Sequence, residues 1–415
     1  MTLPIRLPPT LEHYDCRGCG DCCHGTIIPL REDDYERIRG QGWEERPEYR
    51  GTKIFVRSGL FKKHYHLAKR GDGACVFLTA ENRCRIHEEF GATAKPLVCQ
   101  IAPLQLVPLG DHANLTVRRY CRCSAEDRGR PLAEHVDALK DLIERSDAAP
   151  KAAEPPPIVR RRRLPWRETL MVTDAITRLM LDERYPLVRR LAHGLEFCSL
   201  LEPCRLERLE GPRLLELMGI LEESAVREAG DLFQRRVAPG SRPMKLFRQT
   251  AMECLRLHPR LVQERSWAER WRIIKAAIAF ARGTGPVPLF RLPFPPAAFE
   301  SLERPLGPLD GAVLRPLNLF FETLVASLRF AVLNRPGWSI TQSFRALALS
   351  YAVGMWVLRL ACGERAPGAG EAVDVAMLLD RGQGFGPLVG RRHRLRVSLL
   401  SRRRELARLV VWYAR

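Results

Sequence analysis

Residues 16–23 read CRGCGDCC and place four thiols within eight residues. The spacing is C-x2-C-x2-C-C, and Gly18 and Gly20 allow the backbone to turn tightly enough to aim several sulfur atoms at one point. Zinc takes four Cys or His ligands, and iron–sulfur clusters take Cys thiolates at spacings such as C-x2-C-x2-C, so either fits the first three cysteines. Four thiols this close would repel one another as thiolates, or oxidise, unless a cation held them. The stretch therefore predicts a metal-binding segment.

The adjacent pair Cys22 and Cys23 bears on the number of sites. Neighbouring side chains on an extended or turning backbone usually point apart, so either the two cysteines face different centres or one of them is a spare thiol. Two four-coordinate sites need eight ligands. Nine of the 13 cysteines precede residue 124: Cys16, Cys19, Cys22, Cys23, Cys75, Cys84, Cys99, Cys121 and Cys123.

One histidine is a further candidate ligand. A helix beginning near Cys84 would place His87 three residues on and on the same face, so that both could reach one metal. The alternative is that His87 is a surface residue of this helix. The later cysteines lie in apolar helical patterns without ligand spacing, and we expect them to be packing residues: Cys198, Cys204, Cys254 and Cys362.

Composition and periodicity predict the domain organisation. The 415 residues are 46% hydrophobic and 28% charged, which excludes a disordered or collagen-like chain. Residues 1–146 alternate short β-like runs with turns, and residues 167–415 are nearly all helical in pattern. Between them, residues 147–166 (DAAPKAAEPPPIVRRRRLPW) break every periodicity and predict a solvated linker. The expected fold class is a small α+β, metal-stapled N-terminal domain followed by a mostly α-helical C-terminal domain.

Local signals predict individual elements within these parts. Residues 32–39 are expected to form a helix, and residues 104–107 and 115–120 a hairpin joined through Gly110-Asp111. Residues 75–78 (CVFL) are expected to form a short strand. The apolar run of residues 346–357 is too short to span a membrane and is expected to be core.

The net charge of +19 lies almost entirely in the second part of the chain. Residues 1–150 carry 23 Lys and Arg against 22 Asp and Glu, whereas residues 151–415 carry 44 against 26. The preference for Arg over Lys there is typical of genomic composition, but a basic half could also meet a polyanion. No nucleic-acid-binding motif accompanies the charge. The first ten residues lack the pattern of a signal peptide, which favours a cytoplasmic chain with reduced thiols.

The cysteine-containing stretches of the N-terminal part together resemble a known family. About residues 14–125 resemble the CxxCxxCC cysteine-cluster family, also called the YkgJ family. The resemblance rests on the stretch Cys16-Arg-Gly-Cys19-Gly-Asp-Cys22-Cys23, on the runs CVFL, CRIH and KPLVC, and on Cys121. The resemblance implies chelation of zinc or iron by these cysteines: Cys16, Cys19, Cys22, Cys23, Cys75, Cys84, Cys99 and Cys121. Cys123 is additional to the family pattern, and Gln-Ile-Ala-Pro follows Cys99 where an aromatic-Pro is usual.

The sequence leaves three functions open. The first is a metal-chelating protein, with zinc or iron, whose basic helical domain is an interaction domain for a protein partner. A more distant resemblance to the flagellin lysine N-methylases implies an iron–sulfur-dependent enzyme that uses S-adenosylmethionine. The third is an electron carrier or redox sensor with a [4Fe–4S] cluster. Since no P-loop, G-x-S-x-G or H-E-x-x-H motif is present, the sequence assigns no catalytic residues and does not decide between enzyme and binding protein.

Overall fold

The N-terminal part of the chain is built from short strands in small sheets. The computed structural model describes residues 3–59, 64–146, 149–235, 237–261, 266–333, 337–383, 388 and 390–415. The sheet orders are β1-β7-β6, β2-β8 and β3-β5-β4. The strands are β1 Ile5–Arg6, β2 His13–Tyr14, β3 Pro29–Leu30, β4 Phe55–Ser58, β5 His64–Leu67, β6 Leu104–Pro108, β7 Ala113–Val117 and β8 Arg130–Pro131.

Short helices connect these strands. They are α1 Glu32–Arg39, α2 Arg85–Phe90, α3 Leu97–Ile101, α4 Arg122–Ala125 and α5 Val136–Ser146. The predicted helix over residues 32–39 is confirmed as α1. The predicted hairpin is confirmed as the antiparallel pair β6 and β7, in which Leu106 faces Leu115.

The predicted strand over residues 75–78 is wrong. This run forms a turn, held by single bridges from Lys69 to Cys75 and from Leu78 to Cys84. The backbone N–H of Cys75 donates to the carbonyl of Cys23 at 2.9 Å. Phe77 and Leu78 are almost fully buried. The apolar residues of this run, which favour a strand in the sequence, therefore pack in the core without pairing in a sheet.

The remainder of the chain is helical, as the apolar spacing predicts. The helices are α6 Trp166–Leu181, α7 Leu187–Leu201, α8 Gly211–Glu228, α9 Gly230–Arg235, α10 Ser241–Leu255, α11 Trp267–Arg282, α12 Phe299–Leu302, α13 Gly311–Ala326, α14 Arg329–Val332, α15 Ile340–Cys362, α16 Ala369–Gly382, α17 Arg391–Leu400 and α18 Glu405–Tyr413. The fold class predicted from the sequence, a small N-terminal part with strands and then a mostly helical part, is confirmed.

Helix α15 is the centre of the helical core. It is long and apolar enough to cross a membrane, with a mean hydropathy of 1.3 over its most apolar window, but 89% of that window is buried inside the protein. Trp356 and Leu358 within it are 0% exposed. The expectation that residues 346–357 are core is therefore confirmed.

Part of the predicted linker is buried rather than solvated. Ile158 and Val159 are 0% and 2% exposed and belong to the helical core. The backbone N–H of Ile340 donates to the carbonyl of Pro157 at 2.8 Å. Because Ile158 and Val159 are buried in the helical core, the expectation of a solvated connector is wrong at these two positions. The division of the chain into domains stays a prediction.

A buried ion-pair network joins the N-terminal part to the helices. Arg118, directly after β7, donates from Nε to Oδ2 of Asp380 at 2.7 Å, and Arg329 on α14 donates to the other carboxylate oxygen. Asp380 lies on α16 and is 0% exposed. Burial would raise the pKa of Asp380, but the two guanidinium groups hold it below its ordinary value. The carboxylate is therefore charged in the core and depends on its partners.

A close contact between α7 and α15 makes one glycine sensitive to substitution. A Cβ on Gly194 would lie 2.2 Å from Cζ of Phe344, which is 0% exposed. Gly194→Ala should therefore lower the free energy of unfolding by about 1–3 kcal/mol, although alanine favours a helix. Gly219→Ala on α8 is the matched control, because nothing lies within 4 Å of its added Cβ, and it should stabilise by about 0.5–1 kcal/mol. Urea unfolding measures the change in the free energy of unfolding for each variant. A change of the same sign in both variants would contradict this packing.

Candidate metal centre

The cysteine motif begins in a tight turn made by two glycines. Gly18 and Gly20 have φ of 67° and 76°, in the left-handed region that favours glycine. Gly20 precedes a 3₁₀ turn over Asp21–Cys23, and the N–H of Cys23 donates to the carbonyl of Gly20 at 2.8 Å. A Cβ on Gly20 would lie 2.9 Å from Cβ of Asn82, so the turn is also packed closely against the next loop.

The turn sends the adjacent cysteines to different apolar clusters. Cys22 packs with Cys19 against a cluster that contains Leu115 and Val117. Cys23 packs against another cluster, which contains Trp43 and Phe77. Eight of the nine early cysteines divide between these clusters, and the exposed Cys16 lies beside the first. We name the two sets the first and the second thiol group.

The first thiol group comprises Cys16, Cys19, Cys22, Cys121 and Cys123. Sγ of Cys19 lies 3.7 Å from Sγ of Cys123. Cys19 and Cys22 both affect the pKa of Cys121, and Cys16 contributes to raising the pKa of the buried Tyr14, so these side chains are close neighbours. Two thiolates on a tetrahedral zinc with bonds of about 2.3 Å lie about 3.8 Å apart, close to the spacing of Cys19 and Cys123.

Short secondary-structure elements position the later cysteines of the first thiol group. Cys121 precedes the first turn of α4, and Cys123 lies within it. Both are buried, at 3% and 1% exposure, whereas Cys16 is exposed. The hairpin of β6 and β7 ends just before this helix and therefore delivers Cys121 and Cys123 to the motif from a distance of about one hundred residues in sequence.

The second thiol group comprises Cys23, Cys75, Cys84 and Cys99. Its members pack against the same apolar cluster. Cys84 precedes the first turn of α2 and Cys99 lies on α3. Burial raises the pKa of Cys99, and the neighbouring Cys75 and Cys84 raise it further. Burial likewise raises the pKa of Cys75 to about 11, with a contribution from Cys84.

The two groups lie next to each other, because the pKa of Cys22 is affected by Cys121 of the first group and by Cys23 of the second. Within the described ranges, no three Cys, His, Asp or Glu side chains are arranged so that they could hold a metal ion as they stand. The interaction with Cys121 and burial raise the pKa of Cys19, and burial raises the pKa of Cys75 and of Cys99. A four-thiolate site would therefore form only together with a cation that replaces the protons. The donor chemistry, sulfur alone, fits zinc and iron.

The remaining candidates fall outside these groups. His87 is exposed on α2, which agrees with the alternative that it is a surface residue. Of the later cysteines, Cys198, Cys254 and Cys362 are buried in the helical core. Cys204 is half-buried after α7, and its Sγ donates to the carbonyl of Leu200 at 3.3 Å.

Sequence reasoning missed a cation beside the first thiol group. Arg381 on α16 donates from Nη2 to the carbonyl of His24 at 3.1 Å, and its guanidinium lies 5.7 Å from the ring of Tyr120. Burial lowers the pKa of Arg381, while Tyr120, Asp380 and Cys22 act in the opposite direction. A cation here offsets part of the negative charge of a thiolate centre. Nothing in the sequence marks this residue, since it lies 357 positions from His24.

Comparison with known proteins agrees with a cysteine-based metal domain. Residues 15–122 match the CxxCxxCC family, which is described as "Putative zinc- or iron-chelating domain". The matched residues include the turn motif and the later cysteines Cys75, Cys84, Cys99 and Cys121.

A curated protein is similar to part of this chain. The "Uncharacterized protein MJ0939" of Methanocaldococcus jannaschii is 28% identical over 130 residues, which cover 31% of this chain and 43% of the relative. The chain thus spans less than half the length of this relative. No solved structure matches the chain.

Proposed function

We propose that this protein is a metal-chelating protein with two four-thiolate sites in its N-terminal part. The first site uses Cys16, Cys19, Cys22 and Cys121, with Cys123 beside it. The second uses Cys23, Cys75, Cys84 and Cys99. The observation that carries the proposal is the division of the adjacent pair: Cys22 packs in the first thiol group and Cys23 in the second.

Two sites explain the donor count better than one. A single four-coordinate centre would leave several buried or half-buried thiols of the same segment without a use, although thiols this close oxidise readily. Two centres use eight of the nine early cysteines. Their binding would supply folding energy to a segment whose strands are too short to build a large core.

The identity of the bound metal, zinc or iron, also distinguishes between the broader functions. Thiolate-rich sites accept both zinc and iron, and selection between them depends on geometry and metal supply. A lysine N-methylase and an electron carrier both need an iron–sulfur cluster, whereas a structural chelating domain that supports a basic interaction domain works with zinc. An iron-free protein therefore excludes the first two functions.

Serine variants test the two sites separately. Cys121→Ser should remove about half of the bound metal, Cys99→Ser should remove the other half, and the double variant should remove nearly all of it, because each site loses a required thiolate. Elemental analysis of protein purified without oxygen measures the content.

The control for these variants is Cys204→Ser, which changes a half-buried thiol outside both groups and should retain the full metal content. Complete loss of metal in either single variant would indicate one centre instead of two. Unchanged content in both would remove these cysteines from the ligand set.

A further inference from the structure

Helix α11 has a second apolar face that the fold does not use. Ala276 and Phe280 are buried and pack the helix onto the core. On its outer side lie four large apolar side chains: Trp267 at 76%, Trp271 at 61%, Ile274 at 47% and Ile278 at 49% exposure. We name these four residues the α11 outer face.

The spacing aligns these residues in one stripe. At 3.6 residues per turn, positions 267, 271, 274 and 278 fall within an arc of about 60°. Ala276 and Phe280 lie on the opposite side of the helix. A surface helix normally carries polar residues on this side, and a row of exposed apolar side chains typically marks an interaction surface.

The charges around the stripe are all of one sign. Arg270 lies on one side of it, and Lys275 and Arg282 lie on the other, all exposed. The guanidinium of Arg270 lies 5.0 Å from the ring of Trp267. Glu269, the acidic residue of this helix's first turn, is half-buried and pairs with Arg272 at 2.7 Å. The outer side of α11 is therefore both apolar and basic.

We infer that the α11 outer face docks on the surface of an anionic phospholipid bilayer. An interfacial helix buries Trp and aliphatic side chains at the headgroup boundary while flanking Lys and Arg reach lipid phosphates. This arrangement lies on a membrane and does not cross it. The excess of 44 Lys and Arg over 26 Asp and Glu in residues 151–415 adds a long-range attraction to the same surface.

A second copy of the chain fits this face less well. A two-fold interface would place Arg270, Lys275 and Arg282 near the same residues of the other copy, with like charges opposed. An acidic protein would satisfy the charges. However, two exposed Trp rings on one helix suit the headgroup layer, where such rings concentrate.

Vesicle flotation with the full chain tests the inference. The protein should float with phosphatidylcholine vesicles that contain about 30% phosphatidylglycerol and bind pure phosphatidylcholine far less. Trp267→Gln combined with Trp271→Gln should weaken binding by about tenfold or more, because both interfacial anchors are lost. Circular dichroism should show unchanged helix content, since both side chains are exposed.

The matched control is Leu215→Gln combined with Ile220→Gln on α8, which removes two apolar side chains of 49% and 55% exposure elsewhere. It should bind vesicles as the unmodified protein does. Absence of flotation, or equal loss in both double variants, would overturn the inference. So would a dimer in solution that the Trp variant dissociates, or binding to polyglutamate without binding to vesicles.

Discussion

Removing the metal with a chelator is expected to unfold residues 15–122 while the helical core keeps its structure. The strands in this segment are two to five residues long. Most of their buried apolar side chains lie in two small clusters, and Val107 of β6 joins the helical core. A structural zinc contributes on the order of 10 kcal/mol to the folding of such a domain. The helical core, by contrast, buries α15 almost completely, so we expect it to stay folded after chelation.

Hydrogen exchange followed by mass spectrometry resolves the two parts. Amides of β4, β5 and α2 should lose protection after chelation, and those of α7 and α15 should retain it. Addition of zinc or reconstitution with iron should restore the pattern. Retained protection throughout residues 15–122 would show that metal does not hold this segment together.

Asp380→Ala is expected to have the second largest effect. The substitution leaves the guanidinium groups of Arg118 and Arg329 without their shared carboxylate, and Arg329 is 5% exposed. Breaking a buried pair by removal of one partner costs about 3–5 kcal/mol, because an uncompensated charge remains in the core. Urea or thermal unfolding measures the loss.

A control on the same helix separates burial from charge. Asp374 also lies on α16 and pairs with Arg122, but its side chain is 57% exposed. Asp374→Ala should change the free energy of unfolding by less than about 1 kcal/mol. If both variants lost equal stability, the buried network would not join the two parts of the chain as described.

The sequence predicts local features well because they depend on neighbouring residues. The helix α7 begins after Pro186 and follows the apolar spacing of its residues. Cys22 and Cys23 pack against different apolar clusters, as adjacent side chains usually do, and their assignment to two separate metal sites stays a prediction. The positive φ of Gly18 and Gly20 confirms the tight turn that their lack of Cβ predicts.

The features that the sequence could not predict are contacts between distant parts of the chain. Asp380 and Arg118 lie 262 positions apart, and no local pattern pairs them. The sequence likewise does not show which distal cysteines lie near Cys22 and which lie near Cys23, because that depends on how β6, β7 and the short helices pack. Ile158 and Val159 were expected in a solvated linker because proline and arginine dominate their surroundings, yet two apolar residues suffice to bury the segment.

Metal content and the absorption spectrum of the full chain, purified without oxygen, test the central claim most directly. We expect about two zinc ions per chain, or iron with visible absorption in the amount that two clusters require. A protein that contains neither metal, or whose early cysteines are paired in disulfides, would contradict it.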